Sequence, residues 1–142
     1  MSEKPDISGY WSGWYSYGLD IGNTNIPFSA FVEAAGTGLF IGTVMEPNTF
    51  ASPALVELTA DISGEISRET VYFDKVYHPG PDVHQEVIKY LGNLNEDGTL
   101  ISGEWHAGQG MSFTGGKFQM ERSSGLESEA LSASLKIDRP DS

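Results

Sequence analysis

Ile-Ser-Gly occurs three times in the chain, as Ile7-Ser8-Gly9-Tyr10-Trp11, Ile62-Ser63-Gly64-Glu65-Ile66 and Ile101-Ser102-Gly103-Glu104-Trp105. Successive side chains of an extended backbone face opposite ways. Ile, Gly and the final Trp or Ile therefore share one face, while Ser and the Tyr or Glu share the other. All three segments read as strands in one register, packed on one side and wet on the other. The intervals between copies are unequal, which argues against the constant period of a solenoid or propeller.

Strand-like segments recur along the chain between clusters of Gly, Pro, Asn and Asp, the pattern of an all-β sandwich or barrel. Eight are expected: Tyr10 to Tyr17, a second starting after Pro27 with Phe28, Ala30 and Val32 on one face, Leu39 to Glu46, Val56 to Ile66, Thr70 to Tyr77, Glu86 to Leu94, Thr99 to His106, and Met111 to Arg122. The fourth alternates most strictly, with Val56, Leu58, Ala60, Ile62, Gly64 and Ile66 set against Glu57, Thr59, Asp61, Ser63 and Glu65. Such alternation marks an antiparallel strand with one solvated face. Asp97-Gly98 reads as a tight hairpin. No segment before Arg122 has helical periodicity over three turns, so crossover helices and a parallel sheet are not expected. Eight antiparallel strands in an up-and-down meander close naturally into a barrel, which removes exposed edges. The predicted fold is all-β, with a barrel domain over residues 7–122. The polar tail, residues 123–142, is expected to be disordered or to form a short helix on Leu126, Ala130, Leu131 and Leu135.

The chain has 142 residues, enough for one domain with a real core. It contains no cysteine, which removes disulfides, thiolate ligands and cysteine nucleophiles together. A net charge of −12 disfavours phosphate backbones and anionic membranes as partners. No apolar run reaches the ~20 residues of a spanning helix. The N-terminal residues lack the apolar core of a secretory signal, so a cytoplasmic location is expected.

Gly9-Tyr10-Trp11 resembles the Gly-x-Trp signature on the first strand of calycin barrels, the group of lipocalins, fatty-acid-binding proteins and avidins. In those barrels an Arg near the end of the last strand lies across that Trp, and Arg122 stands at the matching place, closing Phe118-Gln119-Met120-Glu121-Arg122. The resemblance implies a structural closure at Arg122, a barrel and a capacity for small ligands. It implies no ligand identity: cysteine is absent, Gly18 to Asn25 is too short for the helix pair of fatty-acid-binding proteins, and three tryptophans are fewer than avidins place around biotin.

The residues offer three sources of chemistry. Trp11, Tyr15, Tyr17, Phe28, Phe73, Tyr90 and Trp105 include many that strand alternation turns inward, and this set fits a side-chain-filled interior as well as an aromatic ligand cavity. His78, His84 and His106 match no metal-ligand spacing, so no metal or other cofactor is expected, although a single axial haem ligand stays open. Asp74, Lys75, Glu86, Lys89, Glu104 and His106 fall on adjacent strands. Cross-strand ion pairs on the outer wall are the simple use. Lys75 or Glu104 turned inward would instead be a buried ionisable group, and alternation with Trp105 argues against Glu104. Phosphate-loop, zinc-protease, hydrolase-elbow and calcium-loop motifs are all absent.

The expected function is binding of a small apolar or aromatic ligand inside the barrel by Trp11, Tyr15, Phe28, Phe73, Tyr90 and Trp105, with no catalytic residue assigned. A scaffold with a filled barrel and a small barrel enzyme are the alternatives. Tyr10, Trp14 and Tyr72, on the outer face, suggest a homodimer interface.

Overall fold

A computed structural model describes residues 6–17, 25–47, 56–80, 83, 85–108 and 114–123. Eight strands form the domain: β1 (Gly9–Tyr15), β2 (Ile26–Gly36), β3 (Leu39–Pro47), β4 (Glu57–Ser67), β5 (Thr70–Tyr77), β6 (Ile88–Leu94), β7 (Leu100–Ala107) and β8 (Thr114–Arg122). Each pairs antiparallel with the next, and β8 pairs with β1 from Trp11↔Arg122 to Tyr15↔Phe118, closing the sheet into the expected up-and-down barrel. None of the described residues forms a helix long and apolar enough to cross a membrane. The C-terminal tail beyond Ser123 lies outside the described residues.

The three Ile-Ser-Gly phrases share one register. Ile7 and Trp11, Ile62 and Ile66, and Ile101 and Trp105 are buried, whereas Ser63, Glu65, Ser102 and Glu104 are exposed. The phrase's glycine serves close approach of neighbouring strands. A Cβ on Gly103 would stand 2.0 Å from the Leu91 carbonyl oxygen and 2.5 Å from the Gly92 Cα, so any other residue would push β6 away from β7.

Several boundaries differ from expectation. β1 ends at Tyr15 rather than Tyr17, because the backbone at Ser16 turns in to donate its N–H to the Lys117 carbonyl. β2 begins at Ile26, one residue before Pro27. The proline is tolerated there because β3 pairs with β2 only from Ser29 onward. β6 starts at Ile88, and in the 95–99 turn only Gly98 adopts positive φ, at 71°. Asn95 holds that turn, its side-chain oxygen accepting from the Thr99 and Leu100 amides.

The two barrel ends are built differently. At one end lie the short connections 37–38, 68–69 and 95–99; at the other stand the strand ends Tyr15, Ile26, Pro47, Glu57, Tyr77, Ile88, Ala107 and Thr114. The short-turn end is shut by Arg122, whose guanidinium sits 4.7 Å from the centroid of the Trp11 ring. It donates to the carbonyls of Ser8 (2.6 Å), Asp6 (2.9 Å) and Gly98 (3.3 Å). The Trp11 indole N–H in turn donates to the Ile7 carbonyl at 2.9 Å. Gly9 takes φ of 123°, a backbone region costly for other residues, and a Cβ there would meet the guanidinium at 3.3 Å. Ring, carbonyls and cation form one plug across the first and last strands.

Arg122→Ala removes a cation–π contact and three hydrogen bonds at once and should cost about 2 kcal/mol, read as a lower urea midpoint at unchanged slope. Arg122→Lys should recover only part of it, because an ammonium lacks the guanidinium's fork. An alanine variant with the wild-type midpoint would show that the plug contributes nothing to stability.

Candidate functional site at the barrel mouth

The inward faces of β3 and β5 carry the unusual residues. Alternation places Phe40, Val44 and Glu46 inside from β3, and Val71, Phe73, Lys75 and Tyr77 inside from β5. Glu46 and Lys75 are each 2% exposed, and their charged ends meet at 2.5 Å. The second carboxylate oxygen of Glu46 accepts from the Tyr15 hydroxyl at 2.5 Å and from the Tyr77 hydroxyl at 2.9 Å. The Lys75 ammonium also lies 4.9, 4.7 and 5.7 Å from the ring centroids of Tyr15, Tyr77 and Tyr90. A buried ion pair of this kind survives desolvation only when further groups satisfy both ends, and the phenols do so here.

Burial, and next the Glu46 charge, raises the Tyr15 hydroxyl far above the ordinary phenol range. Burial also raises Tyr77, partly offset by the Lys75 charge, and raises the fully enclosed Tyr90. Tyr17 is raised as well, again chiefly by burial. Tyr15 and Tyr77 stay protonated and donate to Glu46.

Above this cluster, at the end away from Arg122, a cavity of about 220 Å³ opens. Its wall consists of Tyr15 and Tyr17 at the end of β1, Tyr77 from β5, Glu86, Ile88 and Tyr90 on the approach to and along β6, Trp105 and Ala107 from β7, and Thr114 from β8. Trp105 organises the rings. Tyr15 and Tyr17 meet it edge-on at 5.8 and 5.2 Å, with interplanar angles of 89° and 87°. Its indole N–H is anchored on the Ser16 carbonyl at 2.9 Å. Edge-to-face contacts of this sort hold rings in place beyond what area burial alone gives. Gln85 fixes the far wall by donating to the Tyr77 carbonyl at 2.6 Å.

The six aromatic residues singled out from the sequence are all buried, at three depths. Tyr15, Tyr90 and Trp105 line the mouth cavity. Phe28 and Phe73 sit lower, around a void of about 10 Å³ shared with Lys75 and Tyr90, too small for any organic molecule. Trp11 lies at the far end beneath Arg122. Phe73 and Tyr90 stack at 4.7 Å and 10°, with Phe118 edge-on to both, so the middle of the barrel is filled.

Glu104 points outward, as its alternation with Trp105 predicted, whereas Lys75 points inward and not to the outer wall. Asp74 pairs instead with Lys89 on the outer wall at 3.2 Å. His78 lies within 2.9 Å of Asp61 at an exposed position, and His106 is exposed. His84 lies outside the described residues. Among the described residues no three His, Asp or Glu side chains converge to hold a metal. Sequence reasoning passed over Glu46 and Tyr77, although both extend the inward parity of strands already recognised.

No family model, curated protein or solved structure matches the chain. The site therefore rests on its own geometry.

Lys75→Met leaves the Glu46 carboxylate buried without a counter-charge and should cost about 3–5 kcal/mol in urea unfolding, whereas Lys75→Met with Glu46→Met should recover most of the loss. Equal destabilisation in the single and double variants would show that the two charges are not coupled. Alkali gives a second test. A phenol whose folded pKa lies above that of the unfolded chain contributes its full stability below about pH 10, and loses it as the pH rises further, because only the unfolded chain sheds the proton. Stability should therefore fall above pH ~10, and the phenolate absorbance of Tyr15, Tyr77 and Tyr90 should appear together with loss of the barrel's circular dichroism.

Proposed function

We propose that the protein is a small-molecule-binding barrel that takes a flat, apolar, one- or two-ring ligand at its mouth. The observation that carries this reading is the aromatic cavity itself. Rings line it on several sides and are braced by one another, and the space between them is left open while the barrel below is filled.

The size of the cavity limits the occupant. At about 220 Å³ it falls below the ~300–1,000 Å³ that houses drug-sized molecules, which restricts the ligand to a compact ring system rather than a long acyl chain. Charge limits it further. The Lys75–Glu46 pair is internally neutral and sits behind the phenol rings, so the inner wall presents no net charge, and Glu86 at the exposed rim disfavours anions. A neutral ligand fits both conditions.

The calycin resemblance supports the same reading at the level of architecture, since the Gly9, Trp11 and Arg122 arrangement closes one end and leaves the other for a ligand. An enzymatic reading has less support. Glu46 is saturated by Lys75, Tyr15 and Tyr77, which leaves it a poor base, and neither charged group forms part of the cavity wall.

Naphthalene is a suitable probe. It should quench or shift the indole emission saturably with one-to-one stoichiometry. Ala107→Trp, which fills the cavity from a buried wall position, should weaken binding at least tenfold while the barrel remains folded. Equal affinity in the two proteins would place the binding site elsewhere.

A further inference from the structure

Four phenols line the mouth cavity, and their hydroxyl groups are not equivalent. Tyr15 and Tyr77 have committed their protons to the Glu46 carboxylate, at 2.5 and 2.9 Å. Tyr17 stands at the exposed rim. Tyr90 differs from all three. It is 3% exposed, and it borders both the mouth cavity and the small void beneath, which Lys75 also borders. The Lys75 ammonium donates toward the Tyr90 oxygen at 3.5 Å, and among the described residues no acceptor takes the Tyr90 proton.

A hydroxyl in this position is an incomplete link in a chain. Glu46 orients the Lys75 ammonium, and the ammonium approaches the Tyr90 oxygen. The ammonium takes a lone pair of the Tyr90 oxygen, and hydrogen bonds in series at low dielectric polarise one another, so an acceptor that reaches the phenol proton completes the series. A buried phenol proton with no acceptor among the described residues also carries a desolvation cost that an incoming acceptor relieves. The ring itself is fixed by its stack on Phe73 and by Phe118 at its edge, so the hydroxyl is held where it stands.

We propose that Tyr90 selects the ligand, and that the ligand is a flat one- or two-ring molecule bearing an oxygen acceptor such as a ring carbonyl, which takes the hydroxyl proton of Tyr90. The proposal rests on the mouth cavity being the binding site and adds the chemical class of the ligand. It also gives the buried ion pair a purpose. Lys75 and Glu46 never touch the ligand, and they occupy the acceptor side of the hydroxyl that does.

Coumarin and naphthalene test it, being similar in size and differing in the ring carbonyl. Their affinities are measured on the full chain, on Tyr90→Phe and on Tyr10→Phe, a phenol on the outer face of β1. The coumarin-to-naphthalene affinity ratio should drop about three- to tenfold in Tyr90→Phe and stay at the wild-type value in Tyr10→Phe. Naphthalene binding with a ratio unchanged in Tyr90→Phe, or a ratio reduced equally by both substitutions, overturns the selection by Tyr90 while leaving the cavity as the site. Failure of both probes to bind wild-type protein overturns the cavity reading and this proposal with it. A measurement on wild type alone keeps the test independent of how Tyr90→Phe folds. The carbonyl stretch of carbon-13-labelled coumarin should lie lower in the bound state than in hexane, and a bound frequency equal to that in hexane overturns the proposal.

Discussion

The pairing of β8 with β1 governs everything else in this protein. An open eight-stranded meander would expose two edges and leave its apolar face half covered. Closing the ring turns that face into an interior with a fixed sequence of levels. Each inward residue then has a height along the barrel axis as well as a face. Trp11 and Arg122 share the lowest level because their strands are neighbours there, and Tyr15 and Trp105 meet near the top across β8, which lies between their strands and sets Gly116 opposite Trp105. The plug, the filled middle and the mouth are successive levels of one closed sheet.

The interior changes character with height. Near the plug it is a conventional core of Ile, Val and Phe. Toward the mouth, Glu46 and Lys75 introduce two charges into a region that the alternation of β3 and β5 would otherwise have kept apolar. Such a pair rarely gains stability over well-packed hydrophobic residues, since desolvation consumes most of the Coulombic attraction. The surrounding phenols reduce that cost, and they hold the ring walls of the mouth at defined orientations through their hydroxyls. The arrangement gives up stability that a hydrophobic pair would supply and fixes where the rings stand.

Much of the architecture was legible in the amino-acid sequence, because period-two alternation is a direct consequence of strand geometry. The Ile-Ser-Gly phrase located three strands and their faces, and Gly9, Trp11 and Arg122 located the closed end. Inward orientation of Tyr15, Phe28, Phe73, Tyr90 and Trp105 followed from parity alone. Depth along the axis did not follow, since it depends on the stagger between strands, which no single strand encodes. Phe28 and Phe73 therefore read the same as Tyr90 and Trp105 although only the latter two reach the cavity. Glu46 was hidden for a different reason. A charged residue near a strand end looks like the start of a loop, and its partner Lys75 comes from another strand, so neither residue alone announces an ion pair.

Arg122 also bears on how the protein persists once folded. Its bond to the Ser8 carbonyl spans 114 residues, and the strands it ties together are the first and the last to be made. Contacts at such separation form after the loops between them have closed, so a chain of this topology folds in the millisecond-to-second range rather than in microseconds. The guanidinium at the base of the barrel works as a latch: it bonds to the chain just before the first strand from the end of the last, and so holds shut the one seam that joins the two ends of the fold.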